Sequence, residues 1–136
     1  MNSESSASQP ATMTVERLEQ FSDAWDSADV EAVMAFFTED CIFQPSVEET
    51  PNATFRGKRA VEEEFRRIFD RDKGYGSGSG LHFVCGSFGY CEWSLLLGDG
   101  PGAAEIRGCD FFEFEGDLIA RKDAFRKATP WLDRRV

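Results

Sequence analysis

From Thr14 onward the apolar residues recur at helical spacing: Leu18, Phe21, Ser22 and Trp25 fall on one stripe. Thr14 is placed to cap that helix, and Glu16 lies in its first turn, where the helix dipole favours an acid. Asp29 is placed to cap a second helix, whose apolar face is Val30, Val33, Met34 and Phe37 before Thr38-Glu39-Asp40 breaks the pattern. The two are expected to form a hairpin. Cys41 to Gln44 predicts a short strand closed by Pro45, followed by a polar loop with Pro51 and Asn52 that runs to Arg56. After Gly57 a third helix is marked by Val61, Phe65, Ile68 and Phe69, with Glu62/Arg66 and Glu63/Arg67 as i,i+4 pairs on its outer side, and it ends near Lys73. The glycine-rich run Gly74 to Gly80 superficially resembles a phosphate-binding loop. Such loops follow a strand and open a helix, whereas this one does the reverse, so a flexible connector or pocket lid is expected. Four strand-like runs follow: Leu81 to Phe88, Tyr90 to Leu97, Ala103 to Phe114 and Asp117 to Phe125. Helices first and strands second predict an α+β fold.

Composition narrows the possible functions. With 136 residues, 41% of them hydrophobic, the chain holds one ordinary domain, expected over 14–128 with tails at 1–13 and 129–136. Its 13 Phe and 3 Trp suffice for a real core or an apolar cavity without disulfides. A formal charge of −10 repels phosphate backbones and anionic lipid surfaces, which argues against nucleic-acid and membrane partners. No apolar run approaches a membrane span, and Met1 to Met13 has neither a basic start nor an apolar stretch, so a cytoplasmic protein is expected. Cys41, Cys85, Cys91 and Cys109 lack CxxC spacing and sit in apolar segments, which predicts buried, reduced thiols. The single histidine, His82, excludes a conventional zinc site, and neither metal nor cofactor is implied. In that setting the glycosylation pattern Asn52-Ala53-Thr54 carries no meaning.

The most informative segment for chemistry is Ile106 to Phe114. Strand alternation puts Ile106, Gly108, Asp110, Phe112 and Phe114 on one face and Glu105, Arg107, Glu113 and Glu115 on the other, leaving Asp110 as a carboxylate in an otherwise apolar row. If Glu115-Gly116 is a two-residue hairpin turn, Asp110 faces Arg121 and Gly108 faces Asp123. One face then collects Asp110, Arg121 and Asp123, with open space over Gly108. Arginine between two carboxylates favours their ionised forms and burial opposes it, so the group reads either as a catalytic floor or as a charge-compensated structural pair. A one-residue slip in register dissolves it.

His82 lies in a run whose two faces are both nearly apolar; it is either a hydrogen-bonded wall residue or a catalytic acid or base. Cys91, Trp93, Leu95 and Leu97 share one face of their strand, expected to be covered by a helix or a partner subunit, while Glu92 on the other face borders either cavity or solvent. Phe21, Trp25 and Phe37 are expected as core or cavity lining.

Taken in order, Phe21-Ser22-Asp23-Ala24-Trp25-Asp26-Ser27-Ala28-Asp29, Phe36 to Cys41, Phe55-Arg56-Gly57-Lys58-Arg59-Ala60-Val61, Glu92-Trp93 and Arg107 to Ile119 resemble the nuclear transport factor 2 (NTF2)-like superfamily, particularly its SnoaL-like branch. The resemblance covers about residues 15 to 127. It implies a conical α+β barrel, with three N-terminal helices packed on a curved antiparallel sheet, an apolar pocket and dimerisation through the outer sheet face. The superfamily includes isomerases, cyclases, dehydratases, epoxide hydrolases and pockets that only bind. Asp110 looks like the sheet aspartate of ketosteroid isomerases, but Phe21 falls where they carry a tyrosine and Gln44 near their base, which argues against that chemistry. Asp123 is similar to the last-strand aspartate of limonene epoxide hydrolases and SnoaL-like cyclases, but Glu92 and Ser94 stand where the former carry Arg and Asp, and Phe43 and Pro45 replace their water-holding pair.

The resulting expectation is a homodimer whose pocket binds a small hydrophobic metabolite. Asp110 and Asp123 form its acid/base pair, Arg121 orients them, and His82 is a further catalytic residue. Phe21, Trp25, Phe37, Phe43, Gln44, Phe112 and Glu92 are the expected substrate-binding residues. The alternative is a non-catalytic ligand-binding or dimerisation module.

Overall fold

A computed structural model describes residues 11–48, 50–98 and 104–127; the rest of both expected tails and the expected strand start at Ala103 lie outside the described residues. The element order is α1 (Val15–Asp26), α2 (Val30–Met34), β1 (Phe37–Gln44), β2 (Phe55–Arg56), α3 (Lys58–Arg71), β3 (Gly76–Cys85), β4 (Phe88–Leu97), β5 (Ala104–Glu115) and β6 (Leu118–Arg126). Both expected caps form. Thr14 Oγ1 accepts the Arg17 N–H at 3.1 Å, and Asp29 Oδ1 accepts that of Ala32 at 3.1 Å. In α3 the Glu62–Arg66 pair closes at 2.6 Å, whereas Glu63 pairs with Arg59 at 3.6 Å and Arg67 turns to Glu64.

The sheet has six strands in the order β2-β1-β6-β5-β4-β3. It is mixed rather than wholly antiparallel, because β1 runs parallel to β6. Register shifts interrupt the β1/β6, β3/β4 and β5/β6 ladders, and bulges of this kind bend and twist a sheet. Helices cover one face of it. Leu18 and Phe21 from α1, Val61 and Phe65 from α3, and Phe112 and Ile119 from the sheet join one core cluster, each at most 1% exposed. Edge-to-face aromatic pairs tie it together, Phe21 to Phe37 and Phe112, Phe65 to Phe37 and Phe43. Met13, expected in the tail, is 5% exposed and belongs to this core, and its N–H donates to the Gly116 carbonyl at 3.0 Å.

Three further expectations are corrected. The second helix stops at Met34; Phe37 opens β1, and Thr38 to Asp40 are strand residues. The shift of pairing between Phe37 and Ile42 leaves Glu39 and Asp40 both exposed, which hides the strand's alternation. The glycine-rich run is neither a connector nor a lid from Gly76 on, but the first half of β3, paired Gly76 to Leu96 through Ser79 to Trp93. Of the four thiols only Cys41 and Cys91 are buried, and Cys85 is exposed; all four are free.

Candidate functional site

The hairpin that carries the expected chemistry turns one position later than Glu115-Gly116. Glu115 pairs with Leu118, so Gly116, at φ 61°, and Asp117 form the turn. One strand position further, the pairing jumps from Phe114↔Ile119 to Glu113↔Arg121, and Ala120 is the extra residue of a bulge. The later turn moves β6 along by two positions, and the bulge turns the rest of it over. Asp110 pairs with Ala124 and Phe112 with Lys122, and Lys122 and Ala124 join Ile119 on the covered face.

Asp110 is 4% exposed and Lys122 3% exposed. Lys122 Nζ stands 3.3 Å from Asp110 Oδ2, and the Trp93 indole N–H donates to Asp110 Oδ1 at 3.1 Å. The Cys91 thiol points at the same carboxylate, 3.7 Å from Oδ2. Burial, then the Asp110 charge, push that thiol well above the ordinary range and keep it protonated. The ammonium is further held over aromatic rings, 4.2 Å from the centre of Trp25 and 5.0 Å from that of Phe43. Gly108 makes room for Trp93. A Cβ there would collide with the indole ring and lie 2.5 Å from the Phe125 carbonyl oxygen. The space expected over Gly108 is therefore filled.

These groups line a cavity of about 90 Å³, room for a few waters or a small compound. Phe21, Phe43 and Ile68 make its buried apolar wall, and Ser22, Cys91 and Asp110 its buried polar one. At the exposed rim, Ser77 donates to the Asp26 carboxylate at 3.2 Å, and burial raises the Asp26 carboxyl above its ordinary value. Arg71, bound through both guanidinium positions to Asp72, and Arg126 complete the rim. Among the described residues no three His, Cys, Asp or Glu side chains cluster to hold a metal ion.

A family model described as a SnoaL-like domain matches residues 18–122, more than three-quarters of the chain. The chain belongs to the SnoaL-like domain family. No curated protein sequence matches this SnoaL-like chain. Its fold is that of an NTF2-like protein of unknown function from Mesorhizobium loti, with TM-score 0.69, 20% identity, and coverage of 83% of this chain and 89% of that one. It is also similar to a Catenulispora acidiphila protein of ketosteroid isomerase-like fold solved in complex with trimethylamine, with TM-score 0.65, 16% identity and coverage of 83% and 86%. A third similar structure, a candidate polyketide cyclase from Sinorhizobium meliloti, has TM-score 0.64, 18% identity and coverage of 80% and 93%. These likenesses establish the α+β, NTF2-like fold.

The SnoaL-like chain does not assemble the set Asp110, Arg121 and Asp123. Arg121 faces away from Asp110 and bonds Glu113 at 2.7 Å, Asp123 at 2.9 Å and Gln44 at 2.8 Å, a network on the uncovered face of the sheet. Burial raises the Asp123 carboxyl, and Arg121 opposes that shift. Gln44 therefore serves this network, and Glu92 accepts the Tyr90 hydroxyl at 3.3 Å on the same uncovered face. Phe21, Trp25 and Phe43 line the cavity, whereas Phe37 and Phe112 lie in the core behind it. His82 stands behind the wall, its Nε2 2.7 Å from the Oγ of Ser22, which lines the cavity. Trp93, expected under a helix or a partner subunit, is turned into the cavity of its own chain. Sequence reasoning missed Lys122, Ser22 and the role of Trp93. The parity of β4 already placed Trp93 beside Cys91, but nothing in the sequence marks the bulge that turns Lys122 inward.

Proposed function

We propose that the cavity binds a small, largely hydrophobic molecule and that Asp110 acts on it as an acid/base, with Lys122 as its charge partner. The observation that carries this reading is a carboxylate and an ammonium, both nearly inaccessible, facing a cavity with aromatic walls. Burying such a pair is costly, and a chain that needed only a core would place apolar residues there. Ionised, Asp110 takes a proton from a carbon or oxygen acid, and the Lys122 ammonium stabilises the negative charge that develops on the ligand. The reaction classes open to this pair are cyclisation, isomerisation, dehydration, carbon–carbon cleavage and water addition. Asp123 and Arg121, on the other face, are not part of the proposed machinery. The trimethylamine held by the Catenulispora acidiphila protein supports small-molecule binding by this fold.

The test follows solvent deuterium entering small cyclic ketones and enones in the presence of the protein. Wild type is expected to catalyse exchange at the carbon next to the carbonyl, and Asp110→Asn, its folding checked by circular dichroism, to lose it on the order of 100-fold. Exchange retained in Asp110→Asn sinks the assignment.

A second reading, a module that only binds, is favoured by the way Trp93 and Lys122 already occupy both oxygens of Asp110. It predicts ligand retention in the double variant Asp110→Leu/Lys122→Met. The partner proposed on the uncovered face is a second copy of the chain. Phe83, Tyr90, Phe111 and Phe125 form an aromatic row across β3 to β6 with centroids 5.6 to 6.0 Å apart. Among the described residues no helix is long and apolar enough to cross a membrane. Four free thiols support a reducing, cytoplasmic setting.

A further inference from the structure

We propose a second reactive centre on the cavity wall, in which His82 activates the Ser22 hydroxyl as a nucleophile toward small acyl esters. Ser22 projects from α1, is 6% exposed and lines the cavity. Its Oγ lies 2.7 Å from His82 Nε2, across from β3. The other ring nitrogen, Nδ1, lies 2.9 Å from the Gly80 carbonyl oxygen. A carbonyl only accepts, so Nδ1 carries the proton, and in the neutral ring the Nε2 lone pair is left for the Ser22 hydroxyl. The Gly80 carbonyl thus does for His82 what a third group does for any histidine base: it fixes both tautomer and orientation. Beyond the Gly80 and Ser22 bonds, the Asp26 carboxylate at the rim is coupled electrostatically to His82.

A hydroxyl bonded to a histidine base is common in cores; what separates this one is its opening into a cavity with an ammonium on its wall. Ser22 and Lys122 line the same space, so an ester carbonyl held there meets a nucleophile and a positive charge together. In the first step Ser22 Oγ bonds to the acyl carbon while its proton passes to His82 Nε2. The ester C–O bond then breaks, and the departing oxygen leaves as the alcohol or phenol with the proton from His82, or as the free phenolate, in which case His82 gives its proton to solvent. Water, deprotonated by His82, attacks the acyl group, releases the carboxylic acid and restores Ser22. No oxidant, metal or cofactor enters the balance. The limited volume restricts the acyl group to short chains.

The probe is 4-nitrophenyl acetate, followed by release of nitrophenolate and by mass mapping of the acetyl group on the quenched full-length protein. The expected result is a burst of one nitrophenolate per chain, with acetyl on the peptide that contains Ser22, and acylation slowed on the order of 100-fold in His82→Gln. His82→Asn is the second variant should the first fail to fold, and the mapping on wild type needs no variant at all. The proposal is overturned by acetyl on Cys91 or surface lysines with Ser22 unmodified, by no acetylation, or by Ser22 acetylation at an unchanged rate without the imidazole. The role proposed for Asp110 is not touched by any of these outcomes.

Discussion

Asp110 and Lys122 each make the other tolerable. Both are buried, and the carboxylate has a second donor in Trp93 while the ammonium has the faces of Trp25 and Phe43. Removing one charge strands its partner in a low-dielectric wall. Asp110→Asn and Lys122→Met are therefore each expected to lower the unfolding free energy by about 3 kcal/mol, whereas Asp110→Leu/Lys122→Met returns to within about 1 kcal/mol of wild type. Urea unfolding of the four proteins checks this, and additive losses in the double variant would show that the two charges are not coupled. Asp26 poses the opposite problem at the rim. Burial raises its carboxyl, so the folded chain holds that proton more tightly than the unfolded one does. The charged form is disfavoured by folding, and stability falls as pH rises through the unfolded and then the raised folded value. Asp26→Asn keeps an oxygen for the Ser77 hydroxyl and removes the charge. Its melting temperature is expected above that of wild type near pH 7, with the gap closing as pH falls toward about 4, the ordinary range of an Asp carboxyl. A gap that widens in acid would contradict the shift.

Between β5 and β6 a single residue decides which side chains meet. With Ala120 bulged out, Ile119 and Lys122 both turn to the covered face and Arg121 to the other. Deleting Ala120 removes the extra residue and leaves plain alternation, with Ile119 still opposite Phe114 and Arg121 still opposite Glu113, so Ile119 and Lys122 stay on the covered face. This deletion variant is therefore expected to keep a cooperative thermal melt, and loss of cooperative unfolding would show that the bend the bulge gives the strand is itself needed. The same bulge marks the limit of what the sequence reveals. Local signals were sufficient for where the first two helices start and for the face of the third, because Thr14 and Asp29 cap the former and Val61, Phe65 and Ile68 repeat at the helical period in the latter. The isolated carboxylate of Asp110 was legible from strand alternation within β5 alone. Its partners were not. Pairing Asp110 with Arg121 required the register of a second strand, and that register depends on a turn at Gly116-Asp117 and on an extra residue with no sequence signature. Ser22 and His82 meet across 60 residues, a proximity that only packing of α1 on β3 creates.

At the scale of the whole molecule the sheet has one face filled by helices and another that ends in aromatic rings. Phe83, Phe111 and Phe125 are 56%, 50% and 49% exposed, and with Tyr90 they form a continuous row, more apolar surface than an isolated strand face usually leaves to water. Charges of both signs flank that row: Arg121 and Arg107 on one hand, Glu92 and Glu113 on the other. A two-fold axis through such a face sets the row against itself and lets acidic groups of one copy meet basic groups of the other, whereas a strongly acidic chain would repel a copy through most other surfaces. The pairing is expected to be a dimer in sedimentation velocity at micromolar concentration. Phe111→Asp places a carboxylate at the middle of the row, next to Tyr90 and Phe125, without disturbing any buried side chain. It is expected to give a monomer with an unchanged far-ultraviolet spectrum. Should wild type sediment as a monomer, the row is not an interface between copies; should Phe111→Asp remain a dimer, the copies meet elsewhere. None of the row's four aromatic residues lines the cavity, so the monomeric variant is expected to keep the ligand affinity of wild type.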